Sequence, residues 1–105
     1  MESHAFSVIW DLARQVPYGT VISYGQLARL AGNPRWARVA GYAMHGAPDD
    51  VPCHRVVNRR GELSGAFSPN GRETHRALLE AEGVGFLPDG RVDMERYAWL
   101  GAPKG

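Results

Sequence analysis

Ser23-Tyr24-Gly25-Gln26-Leu27-Ala28-Arg29-Leu30-Ala31-Gly32-Asn33-Pro34 decides the fold, because it writes one short helix and the start of the next. Ser23 three residues ahead of Gln26 is a capping box, in which each side chain satisfies the other's free backbone amide. Leu27, Ala28 and Leu30 supply the apolar side, and Gly32 stops the helix. Asn33 is a cap residue and Pro34 suits a first helical position, so the sequence predicts a further helix from about Pro34 to His45. Helix, glycine-containing turn, helix over about 23–46 is the spacing of a helix-turn-helix, whose second helix normally enters a DNA groove. On that second helix Trp36, Ala40, Ala43 and Met44 form the buried side. Ala37, Arg38, Gly41 and His45 share a side of mostly small or thin residues, which lets backbone approach DNA closely with Arg38 as the one long probe. The same pattern also suits an ordinary amphipathic helix packed on a neighbour.

Outward from this unit, residues 4–16 read as a first helix, with Phe6, Ile9, Trp10, Ala13 and Val16 on one face. Pro17-Tyr18-Gly19 breaks it, and Thr20-Val21-Ile22 is a short extended piece. On the C-terminal side, Asn58-Arg59-Arg60-Gly61 reads as a turn, and the small-residue stretch 64–71 as a loop able to fold over a pocket. A helix is predicted from about Gly71 to Glu82 with Ala77, Leu78 and Ala81 inward, followed by a turn or hairpin over Phe86–Val92. Met94, Tyr97 and Trp99 then pack a C-terminal segment onto the body. The fold expected is mainly α, a small winged helix-turn-helix-like single domain with short β-strands or a hairpin.

The chain has 105 residues, enough for one domain with a modest core. It has no apolar run long enough to span a membrane and no basic-then-apolar N-terminus, so the expectation is a cytoplasmic protein without a membrane partner. A single cysteine makes no internal disulfide, and histidines at 4, 45, 54 and 75 lack zinc-type spacing, so neither metal nor cofactor is implied. The formal net charge is only +1, yet from Leu12 to Pro48 there are four arginines and no acid. Arginine suits bidentate phosphate contacts. The basic stretch points toward DNA, with Arg35 and Arg38 as candidate contacts, and beyond it Arg55 and the turn residues Arg59 and Arg60 are further candidates.

Val51-Pro52-Cys53-His54-Arg55-Val56-Val57 carries the candidate chemistry. A thiol becomes a nucleophile as the thiolate, which neighbouring positive charge or an imidazole favours. A lone cysteine is more often a small buried hydrophobe. Neighbouring side chains in an extended segment also point to opposite faces, so Cys53 and His54 need not touch.

Pro52-Cys53-His54-Arg55-Val56 followed by Gly61 resembles the active-site signature of the O6-alkylguanine-DNA alkyltransferases. Gly19-Thr20-Val21-Ile22-Ser23-Tyr24-Gly25-Gln26-Leu27-Ala28 and Ala37-Arg38-Val39-Ala40-Gly41 resemble the DNA-binding half of that domain, in matching order. The resemblance covers about residues 5–99. It implies a recognition helix in the minor groove of double-stranded DNA containing O6-alkylguanine. It further implies that Arg38 fills the space left by a rotated-out guanine, with Ala37 and Gly41 beside it, and that Tyr24 helps push the flanking phosphate. Cys53 would accept the alkyl group, once per molecule. His54 and Glu82 would draw off the thiol proton through a water, and Tyr24 would donate to the leaving base. Val51, Pro52 and the loop residues Ser64, Gly65 and Ser68 would wall the pocket, and the protein would act as a monomer without a cofactor.

Three features depart from the transferases. The chain opens directly on the DNA-binding domain, where the alkyltransferases usually carry an additional N-terminal domain. The family's asparagine before the active-site loop is replaced by Ala47 in the shorter His45-Gly46-Ala47-Pro48-Asp49-Asp50. The tail Asp93-Met94-Glu95-Arg96-Tyr97-Ala98-Trp99 resembles the closing motif of the alkyltransferase-like proteins, which bind and flip O6-alkylguanine and hand it to nucleotide excision repair without transfer. The residues of the site favour stoichiometric transfer to Cys53, the leading expectation, while these departures favour the alternative, a non-enzymatic damage sensor.

Overall fold

The predicted apolar stripe of the N-terminal segment becomes helix α1, His4–Arg14, with Ile9, Trp10 and Ala13 buried. The computed structural model describes residues 4–63 and 71–101. Helix α2, Tyr24–Leu30, follows strand β1, Ile22–Ser23. Only half of the capping box forms. The Gln26 amide donates to Ser23 Oγ at 3.0 Å, while the Gln26 side chain turns away to donate to the Leu100 carbonyl at 2.7 Å. The tertiary partner at Leu100 displaces the reciprocal cap.

Asn33 caps the next element as expected, accepting from the Arg35 amide at 3.1 Å, but the segment is not one helix. Pro34–Trp36 is a 3₁₀ turn that leads into α3, Ala37–His45. Trp10 Nε1–H reaches the Ala43 carbonyl at 2.8 Å and locks α1 against α3. Ala40 and Ala43 are fully buried, which lets α3 lie close on α1 and α2.

The β structure is small and long-range. Strand β2, Val56–Val57, pairs in parallel with β1, Ile22 opposite Val56 and Ser23 opposite Val57. An antiparallel bridge, Phe86 to Val92, closes the turn read as a hairpin. Mainly helical structure with short strands is thus what the sequence led us to expect. Two apolar clusters flank the sheet. One gathers Ile9, Trp10, Ala13, Ile22, Leu27 and Val56, with Cys53 and Tyr24 packed on its edge. The other gathers Val21, Val57, Leu79, Val84 and Val92.

Helix α4, Gly71–Ala81, departs from expectation in its facing. Gly71, His75 and Leu79 are the buried residues, while Ala77, Leu78 and Ala81, read as inward, are exposed. The inward face is set by a polar contact, His75 Nε2–H to the His54 carbonyl at 2.7 Å, which an apolar count misses. The short α5, Met94–Tyr97, and Trp99 complete the body, with Trp99 N–H donating to the Val21 carbonyl at 2.7 Å.

Gly61 fastens the turn after β2. Its φ is +84°, and a Cβ there would lie 2.6 Å from the Val92 carbonyl oxygen. Gly61→Ala should therefore combine left-handed strain with a backbone clash and cost about 3 kcal/mol. Thermal denaturation should show a melting temperature lower by roughly 10–20 °C. Gly90→Ala, at φ +94° in open space, should cost distinctly less.

Candidate functional site

A cleft of about 1080 Å³ opens between α3, the start of α2 and the segment from Ala47 to Arg59. Tyr24, Ala37, Arg38, Gly41, Val51, Cys53, His54 and Arg59 all line it, so half of the residues singled out in the sequence meet at one surface. Arg35 and Arg60 are exposed but lie outside the lining, and Pro52 is half-buried at the entrance to the thiol turn. Ser64, Gly65 and Ser68 lie outside the described residues. Among the described residues no group of three side chains could hold a metal ion, and no helix is long and apolar enough to cross a membrane.

Cys53 does not sit in extended chain. Cys53–Arg55 is a 3₁₀ turn, closed by the Arg55 amide donating to the Pro52 carbonyl at 2.9 Å. Three residues per turn fan successive side chains about 120° apart. Cys53 faces the cleft, while His54 and Arg55 both reach Glu82 beyond the end of α4. The turn thus separates the thiol from its imidazole neighbour and joins that imidazole to the carboxylate.

Among the described residues Glu82 is the carboxylate with the most hydrogen-bond donors around it. Its side chain is only 7% exposed. It accepts from His54 Nε2 at 2.6 Å, from Arg55 Nε at 2.9 and 3.1 Å, from Arg55 Nη2 at 2.9 Å and from the Gly19 amide at 3.0 Å. Burial pushes the carboxyl up, but the Arg55, Gly19 and His54 hydrogen bonds outweigh it and bring it down to about 2. An ionised carboxylate only accepts, so His54 Nε2 must carry the proton it donates. In the neutral ring the lone pair is then on Nδ1, the nitrogen left for a water.

Arg55 was expected among the DNA contacts. Its guanidinium is instead engaged inside the protein, with Nη1 donating to the Val16 carbonyl at 3.0 Å and the other donors on Glu82. Tyr18 covers the pair, its ring 5.6 Å from the guanidinium and its hydroxyl donating to the Ala81 carbonyl at 3.1 Å. Gly19 enters the same network through its positive φ of +84°, which aims its amide at Glu82. By contrast Arg35, Arg38, Arg59 and Arg60 make no ion pair among the described residues.

The thiol itself is held protonated. Burial raises the Cys53 pKa above its ordinary value despite an opposing backbone hydrogen bond. Sγ–H donates to the Met44 carbonyl at 3.5 Å, tying the thiol to the last turn of α3. Burial, and then the Cys53 thiolate that forms at alkaline pH, likewise raise Tyr24, so its phenol remains a hydrogen-bond donor across neutral pH. Iodoacetamide should accordingly label Cys53 slowly at pH 7, with the rate still climbing above the ordinary thiol range near 8.5. Labelling that saturates below pH 8 would contradict the raised thiol.

The roles of Gly19, Met44 and His75 were not read from the sequence. His75 donates to the main chain of His54 from a nearly sealed position. Its spacing from Gly71 and Leu79, four residues each way, was the available signal.

A helix-turn-helix whose second helix and thiol turn share one cleft defines the class of the chain. Residues 5–84 match the family model of the 6-O-methylguanine DNA methyltransferase DNA binding domain, and the chain belongs to that family. It is 41% identical over 93 residues to a DNA base-flipping protein of Escherichia coli, covering 87% of this chain and 70% of that one. It is 36% identical over 100 residues to alkyltransferase-like protein 1 of Schizosaccharomyces pombe, covering 90% and 93% respectively. With the human methylated-DNA–protein-cysteine methyltransferase the identity is 48% over 84 residues, 78% of this chain but 40% of the human one. The structure of S. pombe Atl1 in complex with damaged DNA containing O6-carboxymethylguanine superposes with a TM-score of 0.78 and 34% identity, covering 94% of this chain and 98% of that one. The Mycobacterium tuberculosis O6-methylguanine methyltransferase gives 0.69 and 37%, covering 78% and 50%.

Proposed function

We propose that this protein, acting as a monomer on double-stranded DNA, rotates O6-alkylguanine out of the duplex and accepts its alkyl group on Cys53. The observation that carries the reading is the thiol on the wall of an open cleft, with Tyr24 beside it and the His54–Glu82–Arg55 network in the adjoining turn. The Atl1 complex with O6-carboxymethylguanine DNA supports the ligand class.

The chemistry is a displacement at the alkyl carbon. A water bridges the thiol to His54 Nδ1 and relays its proton, and the positive imidazole that results is stabilised by the ionised Glu82. The S–C bond forms as the C–O6 bond breaks, and the electron pair leaves on the purine. The purine regains the proton shed by the thiol, with Tyr24 donating a hydrogen bond meanwhile. Net, a hydrogen and an alkyl group exchange between sulfur and guanine, with no cofactor. Arg38 enters the stack where the lesion stood, Ala37 and Gly41 allow close approach, and Arg35, Arg59 and Arg60 meet phosphates.

A second reading, damage recognition without transfer and delivery to nucleotide excision repair proteins, is favoured by the thiol's raised pKa and its donation to Met44. Both readings require lesion selectivity. Titration by fluorescence anisotropy should show a duplex carrying O6-methylguanine bound at least tenfold more tightly than the unmodified duplex. Equal affinities would overturn both.

A further inference from the structure

We propose that Tyr42 is a second DNA probe, set one helical turn beyond Arg38, whose ring packs against the sugar and base edge of the step next to the vacated position. The inference rests on the reading that α3 lies in the minor groove at a flipped lesion.

Residues four apart on a helix are neighbours on one face, about 5–6 Å between Cβ atoms. Arg38 and Tyr42 stand in that relation on α3, and both line the cleft that holds Cys53. That separation approximates one to two base steps at about 3.4 Å each. Tyr42 is 61% exposed, while Tyr24 in the same cleft is half-buried beside the thiol. The flanking wall is thin, with open space where a Cβ at Gly41 would stand, so nothing there stops the ring from meeting a bound duplex.

The ring has no evident task in the free protein. It belongs to neither apolar cluster, and among the described residues it makes no hydrogen bond or ring contact. Tyrosine offers a broad apolar face at small entropic cost, which suits an interface. The minor groove presents nearly the same acceptors at every A·T pair, so a ring packed on sugar and base edge discriminates by shape rather than by sequence. A side chain pressed against a partly unstacked step also favours the bent duplex, adding to what Arg38 supplies. Tyr42 is thereby a residue that strengthens selectivity for a flipped base without touching the reacting atoms.

The test compares Tyr42→Ala, Tyr42→Phe and Arg38→Ala on an O6-methylguanine duplex with 2-aminopurine beside the lesion. Anisotropy reads affinity, 2-aminopurine fluorescence reads unstacking, and thermal denaturation reads folding. Tyr42→Ala should bind about tenfold more weakly, with a smaller 2-aminopurine rise and an unchanged melting temperature. Tyr42→Phe should stay within about twofold of the parent, because the ring carries the contact. Wild-type affinity in Tyr42→Ala alongside a loss in Arg38→Ala overturns this inference alone. A lowered melting temperature in Tyr42→Ala, or an equal loss in Tyr42→Phe, also overturns it. Unchanged binding in Arg38→Ala removes the minor-groove reading and the inference with it.

Discussion

Arg38→Ala should bind an O6-alkylguanine duplex roughly thirtyfold more weakly than the parent and should no longer produce the fluorescence rise of a flipped-base reporter. Rotating a base out of the stack costs a few kcal/mol, and a side chain inserted into the gap offsets part of that. Losing about 2 kcal/mol of the offset gives the stated ratio. Arg38 is free for the task, since it is exposed on the second residue of α3, lines the cleft and holds no ion pair among the described residues. The variant should fold normally for the same reason. Titration against lesion and unmodified duplexes checks it, and a uniform small loss on both would make Arg38 a phosphate contact instead.

Glu82→Gln should lower stability by about 3 kcal/mol at neutral pH, because it leaves the mostly buried Arg55 guanidinium without its charge partner. The pH dependence has a definite sign. The Glu82 carboxyl is depressed in the folded protein to about 2, below its ordinary value of 4.5, so its stabilisation is complete above about pH 4.5. It is lost as pH falls toward 2. Chemical denaturation should therefore show the parent ahead of the variant at pH 7, with the gap closing across that acid window. Transfer should also slow at least tenfold, since an amide cannot stabilise the imidazolium as a carboxylate does, and general-base catalysis contributes about 10²–10⁴-fold. Arg55→Lys would lose the two-pronged grip on Glu82 and should reproduce part of the stability loss.

The helix-turn-helix was legible because its signals are local. Ser23, Gly32, Asn33 and Pro34 act through their own backbone positions, and the structure keeps each of these stops and starts. What failed depended on distant partners. Gln26 abandons the reciprocal cap for Leu100, 74 residues away. The facing of α4 is set by His75 reaching His54, so counting Ala77, Leu78 and Ala81 as core put the helix the wrong way round. Cys53 stands out as the one cysteine beside a histidine and an arginine, whereas the roles of His54, Glu82 and Tyr24 come from family resemblance, and the structure brings His54 to Glu82 and Tyr24 to the cleft of Cys53. Arg55 reads in sequence as one more basic residue of a DNA face. Only the fold reveals that the 3₁₀ turn sends it inward to Glu82.

Intact-protein mass spectrometry after incubation with one equivalent of an O6-methylguanine duplex tests transfer to Cys53 most directly. The expected result is a gain of one methyl group, localised to Cys53, complete at a single turnover and absent from Cys53→Ser, which still binds the lesion. Tight, lesion-selective binding by the parent chain with no change in mass would contradict it and leave recognition without transfer.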